Sequence, residues 1–161
     1  MIMEFFTIGV YNSTEIEFFN KLTENKIDTF CDIRQRRGVR GAKYSFVNSN
    51  KLQNKLNALN IKYKHILELA PTKEIRELQK EADSKKKELK RERLQLGQVF
   101  KIEYESRILK EFDFKYFLQQ LEKIGANRIV LFCVEENPHA CHRVLVTNEL
   151  YNNFHYRTIH L

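Results

Sequence analysis

Residues 128–134 have the sequence RIVLFCV, which is the strongest strand signal in the chain. A continuous apolar run of this length is typical of a central strand of a parallel sheet, covered on both faces. Shorter apolar runs occur at residues 5–9 and 29–33, and the apolar residues between them have helical spacing. Strand, helix and strand in this order indicate a βαβ unit. The sequence therefore predicts an α/β protein, a three-layer Rossmann-like domain with a mostly parallel sheet.

The remaining elements fit the same architecture. Residues 49–59 and 112–124 carry apolar side chains at helical spacing, and Gly125 is expected to end the second of these helices. Residues 61–66 alternate and predict an edge strand, while residues 156–161 predict the last strand. Residues 71–104 are highly charged and predict an exposed helical insertion, mobile in part. A chain of 161 residues without repeats is expected to form one α/β domain over 1–161.

The composition narrows the class of protein. Hydrophobic residues make up 42% of the chain, which is enough for a packed core and excludes a disordered protein. No run of about 18 apolar residues occurs, so we expect no membrane partner. Residues 1–10 lack a basic leader, and three cysteines do not indicate a disulfide framework, so a cytoplasmic location is expected. Nothing in the sequence indicates an oligomeric state.

The net charge of +7 leaves two interpretations open. An excess of cations attracts polyanions, which favours a nucleotide or nucleic acid as partner. Much of the excess, however, lies in residues 80–93, and a solvated helix face would explain it equally well.

Polar residues follow the predicted strands where a ligand site is expected. Open parallel sheets bind ligands at the carboxyl ends of their strands, where the loops 9–13, 32–44 and 133–143 would meet. Asp32 and Arg34 are two residues apart and would share a face, either as a catalytic carboxylate beside an anion-binding group or as a structural ion pair. Glu135 is placed as a general acid or base, or else as a residue that orders the following loop.

Cys141, His142 and Arg143 are expected at the first turn of a helix that opens at residues 138–141. A thiol there would have a lowered pKa and act as a nucleophile, and His142 and Arg143 would reinforce this effect. The alternative for Cys141 is a buried small hydrophobic residue. Cys133 and His139 lie nearby, but their spacing does not match ordinary structural zinc sites, so no metal and no cofactor is predicted.

The loop from residue 34 to residue 44 is rich in arginine and glycine. Arginine binds phosphate bidentately, and an aromatic side chain such as Tyr44 can stack on a base. We therefore expect Arg34, Arg40 and Tyr44 of this loop to bind substrate or phosphate. Gly9 and Arg143, from the two neighbouring loops, are expected to take part in the same binding. The loop is not a P-loop, because no Gly-Lys-Ser/Thr follows, and a flexible basic loop is the alternative.

Several of these motifs occur together in a known order. Thr7-Ile8-Gly9, Asp32-Ile33-Arg34, Tyr63-x-His65, Cys133-x-Glu135 and Cys141-His142-Arg143 resemble the domain of unknown function 488 family. The resemblance covers most of the chain apart from residues 80–93. It implies a Rossmann-like α/β domain and does not supply a reaction.

The leading hypothesis is an enzyme that acts on a nucleotide or a nucleic-acid base, for example by hydrolysis of an N-glycosidic bond. Asp32 and Glu135 would act as the catalytic carboxylates beside phosphate-binding arginines, without a metal. One alternative is a non-enzymatic nucleic-acid-binding module that uses the arginine loop and the basic helix at residues 80–93. Another is a thiol-dependent enzyme that uses Cys141.

Overall fold

A computed structural model describes residues 2–86 and 95–161, without the side chain of Lys86. The described residues form a three-layer α/β structure around one sheet of five strands. All strand pairs are parallel, and the strand order is β3-β2-β4-β1-β5. The strands are β1 (Glu4–Ile8), β2 (Thr29–Asp32), β3 (Lys62–His65), β4 (Arg128–Phe132) and β5 (Thr158–His160).

Six α-helices occur among the described residues, and those that cover the sheet lie on both of its faces. The helices are α1 (Glu15–Glu24), α2 (Ser49–Ala58), α3 (Lys73–Lys86), α4 (Gln98–Tyr104), α5 (Phe114–Lys123) and α6 (Arg143–Phe154). A π-helical turn, Glu105–Leu109, continues α4. Buried residues of α1 and α2 pack on one face of the sheet, and those of α4, α5 and α6 pack on the other.

The predicted three-layer fold is confirmed, and β4 occupies the central position that its apolar run indicated. Ile129 and Leu131 pack into the core under α5 and α6, while Val130 and Phe132 pack into the core under α1 and α2. All four side chains are fully buried. Period-two alternation thus places two of these side chains in each core, which is why residues 129–132 are all apolar.

Local sequence signals set the ends of several elements. The side chain of Thr14 accepts a hydrogen bond from the backbone N–H of Glu17, whose carboxylate accepts from the N–H of Thr14 in return. This capping box starts α1 directly after the loop that follows β1. The side chain of Asp113 caps α5 in a similar way, and Gly125 follows α5 with a positive φ of 69°.

The charged insertion predicted at residues 71–104 is less exposed than expected. The predicted exposure is wrong for its inner face, because Ile75 is fully buried and Gln79 and Asp83 are only 9% exposed. Helix α3 packs against α4, and the backbone N–H of Phe100 donates to Oε1 of Gln79 at 2.7 Å. Of the predicted basic helix at residues 80–93, positions 87–93 lie outside the described residues.

The start of the last helix also differs from the prediction. Pro138–Ala140 form a separate 3-10 turn, and α6 begins only at Arg143 with His142 as its N-cap residue. Cys141 therefore precedes the helix and has an extended backbone, with φ −131° and ψ 148°. The physical reason is Asn137, whose side chain accepts from the N–H of His139 and so closes a turn of its own.

None of the helices in the described part of the chain is both long enough and apolar enough to cross a membrane.

Ile75→Ala tests whether the insertion is part of the packed fold. We expect the free energy of unfolding to fall by about 2–5 kcal/mol, because the substitution leaves a cavity under α3. Glu77→Ala on the exposed side of the same helix is the control and should change stability by less than about 0.5 kcal/mol. Urea unfolding followed by circular dichroism measures both values. A similarly small loss for Ile75→Ala would show that α3 does not pack on the protein.

Candidate functional site

A cavity of about 440 Å³ lies at the carboxyl end of β4. Its sheet side is lined by Cys133 and Glu135, which follow β4, and by Cys141 and His142, which precede α6. The position follows from the topology. The chain leaves β4 towards α6 on one face, whereas it leaves β1 and β2 towards α1 and α2 on the other face. Such a switch point opens a crevice in which α/β proteins bind ligands.

The insertion forms the opposite wall of the cavity. Helix α3 contributes Arg76, Gln79, Lys80 and Asp83, and the start of α4 contributes Phe100. Arg76 and Lys80 are exposed, whereas Gln79 and Asp83 are buried and hydrogen-bonded to each other at 2.6 Å. The cavity thus has thiol and imidazole groups on its sheet side and the exposed cationic side chains of Arg76 and Lys80 on the opposite side.

Cys133, Cys141 and His142 form a tight buried cluster. Their sulfur and nitrogen ligand atoms all lie within 4.8 Å of one another. Sγ of Cys141 lies 3.6 Å from Nδ1 of His142, and Nε2 of His142 lies 2.9 Å from the carbonyl oxygen of Ile33. Because a carbonyl can only accept, Nε2 carries the proton and Nδ1 faces the two thiols. The rings of Tyr104 and Phe100 pack around the imidazole.

The two thiols differ in their acidity, and the expected lowered pKa of Cys141 is wrong. Burial raises the pKa of the Cys141 thiol well above its usual value, and the cysteine does not lie on the first turn of the helix. The hydrogen bond from the Cys141 thiol lowers the pKa of Cys133 well below its usual value. Cys133 is therefore the more acidic thiol of the cluster.

Asp32 and Arg34 lie on the other face of the sheet. The register pairs Asp32 with Phe132, and the guanidinium of Arg34 lies 4.6 Å from the centre of the Phe132 ring. Cys133 is the next residue and so points to the opposite face. Asp32 and Arg34 therefore point away from the cysteine cluster, in contrast to the single site that the sequence suggested, while Tyr11 lies within electrostatic reach of Arg34, Cys133 and Glu135.

The ion pair between Asp32 and Arg34 is buried and closely bonded. Nε and Nη2 of Arg34 donate to the carboxylate at 2.9 and 2.8 Å, and the hydroxyl of Tyr63 donates to it at 2.7 Å. The two side chains are 0% and 3% exposed. His65 also bonds the carbonyl of Arg34 at 2.7 Å. Of the two roles open for this pair, the geometry supports the structural ion pair that closes the end of β2.

Arg143 and Gly9 shape the loop that follows β4. The buried guanidinium of Arg143 donates to the carbonyl oxygens of Cys133 and Glu136, at 3.1 and 2.9 Å. A Cβ atom on Gly9 would lie only 2.0 Å from the carbonyl oxygen of Glu135, so a larger residue would displace this loop. Arg143 and Gly9 thus position Cys133 and Glu135, but they do not line the cavity themselves.

The arginine loop contributes no described residue to the cavity wall. Arg40 is exposed. Tyr44 accepts a hydrogen bond from the backbone N–H of Asn12 at 2.9 Å and packs on the ring of Tyr11. Their predicted phosphate binding at the cavity is therefore not supported by the geometry. His139 is also outside the cysteine cluster, because it is exposed and packs near His160.

Sequence reasoning missed the residues that the insertion brings to the cavity. Arg76, Gln79, Lys80 and Asp83 recur at three- and four-residue spacing, which places them on one face of a helix. This spacing was the available signal. The pattern resembled a solvated charged face because Ile75 is the one fully buried apolar side chain among the described residues of α3.

Asp32→Asn tests the structural role of the ion pair. We expect the free energy of unfolding to fall by about 3–5 kcal/mol, because the variant leaves the buried guanidinium of Arg34 without a counter-charge. The double variant Asp32→Leu/Arg34→Met removes both charges and should be more stable than the single variant. Urea unfolding of the three proteins measures this. A single variant as stable as the unaltered protein would contradict the assigned role.

Comparison with known proteins gives one match. Residues 16–150 match the family described as Domain of unknown function DUF488. Neither the curated proteins nor the solved structures contain a match to the chain. The matched range runs from α1 into α6 and includes every residue that lines the cavity. The family resemblance predicted from the motifs is confirmed, and the chain belongs to the Domain of unknown function DUF488 family.

Proposed function

We propose that this protein is an enzyme that hydrolyses a nucleotide or a related nucleobase compound in the cavity at the end of β4. The observation that carries the proposal is the composition of the cavity wall. Glu135 lines the cavity together with Cys133, Cys141 and His142, while Arg76 and Lys80 line it from α3. A carboxylate beside cationic groups suits proton transfer on an anionic substrate.

The size and lining of the cavity support a substrate of nucleotide dimensions. Its volume of about 440 Å³ lies in the range of small-molecule sites, which is about 300–1,000 Å³. Phe100 and Leu96 provide apolar surface for a base, and Arg76 and Lys80 provide positive charge for a phosphate.

Glu135 is the proposed general acid and base. Its carboxylate takes a proton from a water molecule, and the water oxygen bonds to the sugar carbon of an N-glycosidic bond. The electron pair of the broken carbon–nitrogen bond stays on the base, which receives the proton from Glu135. Asp32 has no part in this step, because its carboxylate is buried and held by Arg34 and Tyr63.

A nucleic-acid-binding module is the second candidate, and a different surface favours it. Arg36, Arg40 and Lys43 are exposed on the loop between β2 and α2. Exposed cations of this kind bind phosphate backbones with a strong dependence on salt. A thiol enzyme based on Cys141 has less support, since this residue is only 2% exposed and burial raises its pKa.

Thermal shift measurements with nucleosides, nucleoside monophosphates and short oligonucleotides test the substrate class. We expect a monophosphate to raise Tm, because a ligand of the folded state stabilises it by mass action. Arg76→Ala/Lys80→Ala should raise Kd about 10–100-fold, since hydrogen bonds to charged groups contribute about 1.5–3 kcal/mol. Lys73→Ala/Lys85→Ala removes equal charge from exposed positions of α3 and should leave Kd unchanged.

Two results would contradict this assignment. An equal rise of Kd in both double variants would indicate that the ligand is attracted only by the net charge of the protein and not by contacts with Arg76 and Lys80. A shift seen with oligonucleotides alone, lost in salt and on Arg36→Ala/Arg40→Ala, would establish the binding module in place of the enzyme.

The same ligands serve for the turnover measurement, in which release of free base is followed by chromatography. Glu135→Gln should keep the Kd of the substrate and lower kcat about 10²–10⁴-fold, as expected for loss of a general acid and base. Glu136→Gln is the matched control, because Glu136 is exposed and bonds Asn12 outside the cavity. Full turnover in Glu135→Gln would exclude the proposed role.

A further inference from the structure

We propose that Cys133, Cys141 and His142 bind a zinc ion in the wall of the cavity, with its fourth coordination position open to the substrate. All three side chains are buried, with exposures of 8%, 2% and 3%, and all three line the cavity. The inference replaces the expectation from sequence spacing that the chain has no metal site.

The distances fit a tetrahedral zinc ion. Zinc lies about 2.3 Å from a cysteine sulfur and about 2.0–2.1 Å from a histidine nitrogen, which places sulfur and nitrogen about 3.6 Å apart. Sγ of Cys141 and Nδ1 of His142 are 3.6 Å apart. All three ligand atoms lie within 4.8 Å of one another, so a small inward shift brings them to one ion.

The orientation of the imidazole supports the same conclusion. Metal-binding histidines commonly donate the N–H of the second ring nitrogen to a carbonyl or carboxylate, which fixes the tautomer. Nε2 of His142 makes this bond to the carbonyl oxygen of Ile33 at 2.9 Å. The lone pair of Nδ1 therefore points towards the two sulfur atoms, and the packed rings of Tyr104 and Phe100 hold the imidazole in place.

The donor set selects the metal. Two sulfur atoms and one imidazole suit a borderline-soft ion such as Zn²⁺ and disfavour Mg²⁺ or Ca²⁺, which prefer oxygen ligands. Two thiolates would also neutralise the charge of the ion in a buried site. Three protein ligands beside an open position are the arrangement of catalytic zinc sites, whereas structural sites have four.

Arg143 explains how ligands eight residues apart meet. Its guanidinium binds the carbonyl oxygens of Cys133 and Glu136 and so folds the loop back onto the start of α6. The spacing differs from that of ordinary zinc motifs because a buried arginine, and not a short turn, closes the loop.

The role of the zinc ion in catalysis rests on the proposed function. Zinc lowers the pKa of a bound water to near 7, far below that of bulk water, and such a water would lose its proton to Glu135 in the same cavity. The metal would thus supply the hydroxide for the hydrolysis, while Arg76 and Lys80 hold the anionic end of the substrate. Binding of the ion itself does not depend on which substrate is correct.

Elemental analysis of the purified chain, produced without a histidine tag and dialysed against zinc-free buffer after loading with zinc, tests the site. We expect one zinc ion per chain, and loss of this zinc in Cys141→Ser and in His142→Phe. Cys31→Ala is the matched control, because Cys31 is a buried free thiol that lies outside the cluster. Its zinc content should equal that of the unaltered chain.

Cobalt replacement provides a second measurement if the variants fail to fold. Cobalt-loaded protein should show thiolate-to-metal absorption, and zinc should protect Cys133 from alkylation by iodoacetamide. No zinc above background in the loaded chain, or rapid alkylation of Cys133 in its presence, would overturn the metal site. Nucleotide binding that persists in such a chain would leave the proposed function standing, so the two failures are distinguishable.

Discussion

Successive side chains of a strand point to opposite faces of its sheet, and this alternation at the end of β4 determines where the polar residues lie. Phe132 points towards α1 and α2, where Arg34 packs over its ring and binds Asp32. Cys133, one residue later, points the other way and meets Cys141 and His142. One step along the strand thus separates an ion pair that stabilises the fold from a cluster that is suited to chemistry.

The charged insertion forms the opposite wall of the cavity that contains Cys133, Cys141 and His142. Helix α3 buries Ile75 and keeps Gln79 and Asp83 bonded to each other at the cavity wall. Its exposed cations Arg76 and Lys80 lie at the same cavity, so two positive charges of the insertion are placed beside Cys133 and Glu135. The polar composition of the helix is therefore explained by its place over the end of β4 as much as by solvation.

Much of the architecture could be predicted because its signals are local. The apolar run at residues 128–134 predicted the central strand, and the alternation at residues 61–66 predicted the edge strand β3. The gathering of Cys133, Glu135, Cys141 and His142 could also be predicted, since the ends of a parallel strand and the following helix are neighbours in space. The family followed from the order of the same motifs.

The remaining features depend on contacts between distant parts of the chain. Whether Asp32 and Cys133 share a face is decided by the register of β2 on β4, which spacing within either segment does not reveal. The first residue of α6 depends on the turn that Asn137 closes. The approach of Cys133 to Cys141 and His142 depends on Arg143, whose buried bonds to two carbonyl oxygens have no counterpart in a sequence motif.

Backbone amide chemical shifts during titration with a nucleoside monophosphate would locate the bound ligand, which we place between β4 and the insertion. We expect the shifts to concentrate in residues 76–83, 95–100 and 133–142, on both walls of the cavity. Shifts confined to residues 35–44 would place the ligand on the arginine loop, on the other face of the sheet, and would exclude the cavity as the binding site.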